Sequence, residues 1–368
     1  MLIEIINSEN VDLNDVSTEC CIQNLLCSHR EGKHILISNE NFLKLMGYHK
    51  NLGIRNCNTA QNILQNLKEY MQLKTKINYY CKVDLSSNSN EVIASNVDEK
   101  HFIVGYNFFN DSSKSQKTKL LCEDRNDYKL YKIIGEHYKH SQKMPGINIS
   151  FDVVSGGGGG TKANFDYIKS INNLCFCLLD TDKKHPKSKI GSTASKFKKA
   201  DNTAFCQHFI IKSHEIESLI PLKVIEEAIQ QNKLPNNYLD SHDKLKALTD
   251  FSPEIKLYFD HKLGMTVESA LDLDTRYQDK FWQDPINKAP NLSRSKCVKK
   301  MLCECEQPCL VAPGFSSNLL NAGSEVLENI SHIRISNCIP PVLKEEWDTI
   351  GEQLFSWGCS VSNRSRTS

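Results

Sequence analysis

Leu174 to Leu179 is an unbroken apolar run that ends in Asp180-Thr181-Asp182, and no other segment restricts the fold as much. A strand without polar alternation must be covered on both faces, which requires a sheet sandwiched between helices. The flanking sequence repeats the pattern. Leu120-Leu121-Cys122 reads as a strand, Asp127 to Tyr138 carries Leu130, Ile133 and Ile134 at helical spacing, and Ile147 to Val154 returns to a strand. Thr161 to Ile171 reads as a second helix and Phe205 to Ile211 as a fourth strand. The alternation predicts an α/β fold with a four-stranded parallel sheet flanked by helices, and places any chemistry beyond the carboxyl ends of the strands.

The polar stretch Asn110 to Lys117 marks a boundary. Before it, residues 1–112 read as an N-terminal mixed α/β domain of unassigned role, with strands at Lys33 to Ile37 and His101 to Phe109 and helices at Asn41 to Met46 and Ala60 to Met71. Residues 117–222 hold the parallel sheet. Residues 223–359 read as a mostly helical C-terminal extension in which Trp347 and Trp357 pack a terminal helix, and 360–368 as a mobile tail. No window is long and apolar enough to span a membrane, and Met1 to Ile6 lacks the basic segment of a secretory signal. Several of the fifteen cysteines (Cys122, Cys175, Cys177, Cys206) sit inside apolar strands, where a reduced thiol packs as a small hydrophobe. A cytoplasmic location follows as the expectation.

Each strand delivers a distinct motif. The first leads into Glu123, with Asp127 four residues on; the competing role for acids here is to cap the helix. The second ends in Gly156, Gly157, Gly158, Gly159 and Gly160, read as a tight strand-to-helix turn in preference to a phosphate cradle, since neither common nucleotide-binding spacing fits. The third delivers Asp180 and Asp182, two carboxylates at i and i+2 that point to one side of an extended segment and suit a hard divalent ion. Directly after them, Lys183 to Lys199 carries seven lysines (Lys183, Lys184, Lys187, Lys189, Lys196, Lys198 and Lys199) and no acid. The whole chain has a formal charge of only +1, so this block is a local polyanion-binding candidate beside the acids, against the alternative of a solvated surface. Only Phe197 accompanies it, so stacking on bases is not indicated. Further on, Cys297, Cys303, Cys305 and Cys309 fall within thirteen residues and offer four thiolates to a structural zinc ion, with free thiols as the competing reading. Arg294, Lys296, Lys299 and Lys300 form a second basic patch beside them.

Glu123 with Asp127, then a glycine-rich turn, then Asp180-x-Asp182, resembles the TOPRIM domain of topoisomerases, primases and nucleases. It looks most like the nuclease branch typified by the OLD (overcoming lysogenization defect) family and by related stand-alone effectors of bacterial anti-phage defence. The resemblance spans about residues 117 to 220. It implies a compact four-stranded parallel sheet, a Mg²⁺- or Mn²⁺-dependent site and phosphodiester hydrolysis. Carried over, Glu123, Asp127, Asp180 and Asp182 match the family's metal-binding acids. Glu215 and Glu217 are similar to its further acidic step, against the alternative of a solvent-facing helix start. Asp260-His261-Lys262-Leu263-Gly264 resembles a following segment whose lysine, Lys262, would neutralise the transition state, against an ordinary surface loop. Two departures stand out. Glu123 is followed by Asp124 where the family often has glycine, and residues 1–112 hold no Walker pattern, so an ATPase or sensor, where one operates, is a separate chain.

The expected function is therefore metal-dependent endonuclease activity on DNA or RNA, as a regulated effector. Two alternatives stand beside it: a non-catalytic nucleic-acid-binding or sensor protein whose carboxylates are structural, and primase-like nucleotidyl transfer.

Overall fold

The computed structural model describes residues 1–95, 100–289, 296–300 and 302–362; Arg294 and the chain beyond 362 lie outside them. The first domain is built on β1 (Leu2–Ile6), β2 (Ile35–Ile37), β3 (Tyr80–Asp84), β4 (Val92–Ser95) and β5 (His101–Gly105), in the order β2-β1-β3-β5-β4. Three pairings are parallel, and only β4 against β5 is antiparallel, so the sheet is mixed. Asp15 and Asn39 cap the helices Val16–Arg30 and Glu40–Tyr48 by accepting the amides of Thr18 (2.9 Å) and Phe42 (2.8 Å). The helix expected over Ala60 to Met71 is two, Gly53–Gln65 and Leu67–Leu73. Asn66 divides them: its side-chain amide donates to Asn62 O (2.8 Å), competing with the helical ladder.

The second sheet consists of β6 (Lys119–Cys122), β8 (Asp152–Ser155), β9 (Cys175–Leu179) and β10 (Cys206–Ile210), all parallel, in the order β10-β9-β6-β8. All five residues of β9 are buried, as an apolar strand covered on both faces requires. The strand expected over Ile147 to Val154 is broken. Its first part, β7 (Ile147–Ile149), leaves the sheet to pair antiparallel with Cys359–Val361, and Ser150 N donates to Gly358 O (2.8 Å). Ser360 is thus fully buried, and the tail is part of the fold through Val361 rather than mobile from Ser360.

The C-terminal region is mostly helical, with one hairpin, β11 (Gly264–Thr266) against β12 (Leu310–Pro313). Its last helix, Pro341–Gly358, packs along the helix Asp127–Ser141 of the sheet domain, and β13 (Cys359–Val361) follows it directly. No helix among the described residues is long and apolar enough to cross a membrane. Trp347 and Trp357 do pack the terminal helix, and they tie it to the rest. Trp347 Nε1 donates to Leu219 O (2.9 Å), and the Trp357 ring stacks between Tyr79 (5.1 Å) and Phe176 (5.8 Å). A second aromatic contact joins the domains where Phe108 stacks on Phe205 at 4.7 Å.

Trp357 is fully buried at the meeting point of both sheets. Trp357→Ala is expected to lower unfolding stability by about 3–5 kcal/mol, measured by urea denaturation, because the seam cannot collapse onto the space left. A loss under about 1 kcal/mol would mean that the two sheets do not depend on this contact.

Candidate active site

Parallel strands bring their carboxyl ends to one edge, and the motif residues follow those ends. Glu123 comes directly after β6, the glycines after β8, Asp180 and Asp182 after β9, and Ser213 to Glu217 after β10. The glycine loop is a turn. Gly156 N donates to Cys122 O (2.7 Å) and Gly157 N to Glu123 O (3.1 Å), so these amides hold the first motif and are not free for a phosphate. Gly157 and Gly158 take φ of +64° and +60°, a backbone region that favours glycine. Asp182 also has positive φ (+56°), and its amide donates to His214 O (2.9 Å). Its carboxylate lies over Gly191, where a Cβ would come within 1.9 Å of Oδ2. Any side chain at 191 would displace Asp182.

The acids are crowded and poorly compensated. Burial pushes the Asp127 carboxyl up to about 7, and the charges of Glu217 and Asp124 add to it, against the Asp124 amide that donates to Oδ2 at 2.9 Å. Burial likewise holds Asp180 well above the usual carboxylate range, with repulsion from Asp127, Glu123, Glu217 and Glu215 adding. Glu123 is raised by burial and by Asp182. Glu123 Oε1 and Glu217 Oε2 are buried without a hydrogen-bond partner. A buried carboxylate oxygen with no donor calls for a proton or a cation.

The acidic step after β10 and the segment 260–264 meet here. Lys262 Nζ lies 3.1 Å from Glu215 Oε2 and 3.0 Å from Glu217 Oε1, and His261 N donates to Glu215 Oε1 (2.8 Å). Burial opposes the Lys262 charge, but the two glutamates outweigh it and raise its pKa. Asp260 accepts from Lys184 Nζ (2.8 Å) and from the amides of Lys262 (3.1 Å) and Leu263 (2.8 Å). Glu215 and Glu217 are buried, unlike a solvent-facing helix start, whereas the segment 260–264 is anchored at the buried Asp260 and exposes Lys262 and Leu263. Glu346, on the terminal helix, accepts the amides of Lys212 and Ser213 and so fixes the entry to this step.

Sequence reasoning missed Glu346, His214 and two buried bases. His214 Nε2 sits 3.8 Å from Asp260 Oδ2. Lys256 Nζ is 2.6 Å from His261 Nε2, and burial lowers the Lys256 pKa to about 7. No local pattern marks these residues, since each acts on a partner across the fold. Among the described residues, two groups bring three or more ligand atoms within 4.8 Å of one another: Cys297, Cys303, Cys305 and Cys309, and His214, Glu215 and Asp260. Glu123, Asp127, Asp180 and Asp182 are in neither, and stand along the rim close enough to perturb one another. In the second group, Lys262 and Lys184 already neutralise both carboxylates.

The basic block is a clamped loop. His185 is fully buried, stacked on Tyr277 (4.8 Å), and Lys184 O accepts from Trp282 Nε1 (2.9 Å). Lys184 and Lys187 pair with Asp260 and Asp279, and Lys196 reaches Gly159 O (3.3 Å). Lys183, Lys189, Lys198 and Lys199 have no carboxylate partner among the described residues, and the last three are exposed. Phe197 is buried against Phe165 and offers no stacking platform.

No family model, curated protein or solved structure matches this chain.

A raised carboxyl pKa fixes a pH dependence. Because the folded value for Asp127 (about 7) exceeds the ordinary 3.8, its penalty is absent below about pH 4, grows with pH and is complete above about pH 7. Asp127→Asn keeps an acceptor for the Asp124 amide. In EDTA it is expected to stabilise the chain by about 2–4 kcal/mol at pH 8, with the gain shrinking toward pH 4 in thermal unfolding. A gain that is the same at both pH values would show that the carboxylate is not strained.

Proposed function

We propose that the chain is a TOPRIM-like, divalent-metal-dependent nuclease that hydrolyses phosphodiester bonds in nucleic acid. The observation that carries this reading is the rim of acids at the ends of parallel strands, with a buried, partnerless oxygen on Glu123 and a lysine poised opposite. An all-oxygen donor set suits Mg²⁺ or Mn²⁺, held by Glu123, Asp127, Asp180 and Asp182. When bound, such an ion supplies Lewis-acid polarisation of the phosphate and acidifies the attacking water. Glu215 and Glu217 hold Lys262 with its charge intact, so that its ammonium meets the charge that develops on the phosphate. The lysines without acidic partners draw the backbone of the nucleic acid along the loop toward the rim.

The all-sulfur set Cys297, Cys303, Cys305 and Cys309 suits a structural Zn²⁺. All fifteen cysteines are free thiols, which supports a reducing compartment, the cytoplasm. An unregulated nuclease would be toxic to its host. We therefore place control of this effector, in a role such as anti-phage defence, in a separate ATPase or sensor chain.

Plasmid, single-stranded DNA and total tRNA incubated with the chain in Mg²⁺, Mn²⁺ or EDTA test the proposal. Cleavage is expected with metal only, abolished by Asp180→Ala/Asp182→Ala and slowed about 10²–10³-fold by Lys262→Ala. Binding in every lane with no cleavage, with or without candidate partner chains, would instead support the non-catalytic reading. Changing Lys183, Lys189, Lys198 and Lys199 to Ala is expected to flatten the dependence of log affinity on log salt by about 3.6 on duplex DNA, in filter binding. An unchanged slope would place the nucleic acid elsewhere.

A further inference from the structure

We propose that zinc at the four cysteines does more than staple the lobe: it sets the position of Lys262. The ligand geometry comes first. Cys305 Sγ lies 3.7 Å from Cys297 Sγ and 3.8 Å from Cys309 Sγ. A disulfide would need about 2.05 Å. A tetrahedron with Zn–S bonds of about 2.3 Å has edges of about 3.8 Å. In addition, Cys309 N donates to Cys303 Sγ (3.4 Å), a contact that favours thiolate over thiol.

The segment that carries these sulfurs has little else to hold it. Residues 302–309 contain no helix or strand, and Leu302, Glu304, Cys305, Glu306, Gln307 and Pro308 are exposed. Only Cys303 and Cys309 pack partly against the core, and a metal at the cysteines would fix the rest of the stretch.

What the segment leads into is the lysine clamp. Cys309 O accepts from Val267 N (2.9 Å), and β12 follows at once, paired to β11 from Thr266↔Leu310 to Gly264↔Pro313. Immediately beyond β12, Phe315 N donates to His261 O (2.7 Å) and Ser316 N to Lys262 O (3.3 Å). The two backbones are pressed together. A Cβ on Gly314 would lie 2.3 Å from Lys262 O, and one on Gly264, at φ +88°, would lie 2.4 Å from Ala312 O. The carbonyls on either side of the Lys262 α-carbon's peptide path are therefore fixed by residues 310–316, and one end of that stretch is tethered by the cysteines. Loading of the four thiolates is thereby coupled to the placement of Lys262 between Glu215 and Glu217.

The catalytic meaning of that placement rests on the nuclease reading, whereas the coupling itself does not. The test uses the full chain purified without added metal. Elemental analysis is expected to find one zinc per chain, lost in Cys305→Ser and retained in Cys338→Ser, whose thiol lies outside the cluster. Zinc is then stripped from the unaltered chain with a chelator and amide exchange followed by mass spectrometry. Peptides covering 258–266 and 310–316 are expected to exchange roughly tenfold faster or more, while β6 and β9 keep their protection. Folded chain without a thiophilic metal would overturn the proposal, and so would zinc whose removal leaves 258–266 and 310–316 unchanged. If zinc and the exchange response are both found but no substrate is cleaved, the nuclease reading alone fails.

Discussion

A sheet covered on both faces can carry charge only at its rim. β9 is buried at every position, and the first residue beyond it is Asp180. The same holds on β6, where Leu120, Leu121 and Cys122 are fully buried and Glu123 follows. Moving either carboxylate further inward would deepen the burial that already raises its pKa, and moving it outward would unravel the strand end. The acids are thus delivered to one edge by the core itself, and their mutual repulsion is a consequence of the covered sheet.

That repulsion is not relieved evenly. On the side of β10, Lys262 bridges Glu215 and Glu217, and Lys184 neutralises Asp260. Burial disfavours ionised Asp260, yet the hydrogen bonds from His214 and Lys184 overcome it and hold its pKa well below the usual range. On the side of β6 and β9, Glu123, Asp127 and Asp180 are raised instead, and no lysine reaches them within bonding distance among the described residues. The asymmetry divides one acidic rim into a half already supplied with cations and a half that lacks one. Under the proposed function the divalent ion would occupy the second half, and the ammonium of Lys262 stands at the border between them.

The sheet was legible because its signal is local. Thr161 to Ile171 and Leu174 to Leu179 were each readable to within one residue, since apolar spacing and the burial it serves lie in the same dozen residues. What escaped reading is set by distant chain. Ile147 to Val154 is apolar enough for one strand, but β7 is claimed by Cys359–Val361, some two hundred residues later. Asp260 reads from sequence only as the start of a motif and His214 gives no local signal, because their pairing with Lys184 and with each other exists only after folding. His185 gave no sign that it would anchor the lysine loop; Tyr277 and Phe281, which receive it, lie far along the chain.

The same sheet explains where the first domain can act. Phe176 is the second residue of β9 and Phe205 immediately precedes β10, so the aromatic seam to Tyr79, Phe102 and Phe108 lies toward the amino ends of these strands. The acids lie at the carboxyl ends. The N-terminal domain is therefore docked on the edge away from the rim and leaves the rim accessible. Several contacts join them, among them Tyr138 Oη to Lys76 O (3.3 Å) on the helix that begins at Asp127, and two rigid elements run the whole way. One is β9 itself, from Phe176 to Asp180; the other is the terminal helix, which presents Trp357 to the seam and Glu346 to the amides before His214. Of the two, only the helix touches the segment that carries Glu215 and Glu217, the residues that hold Lys262.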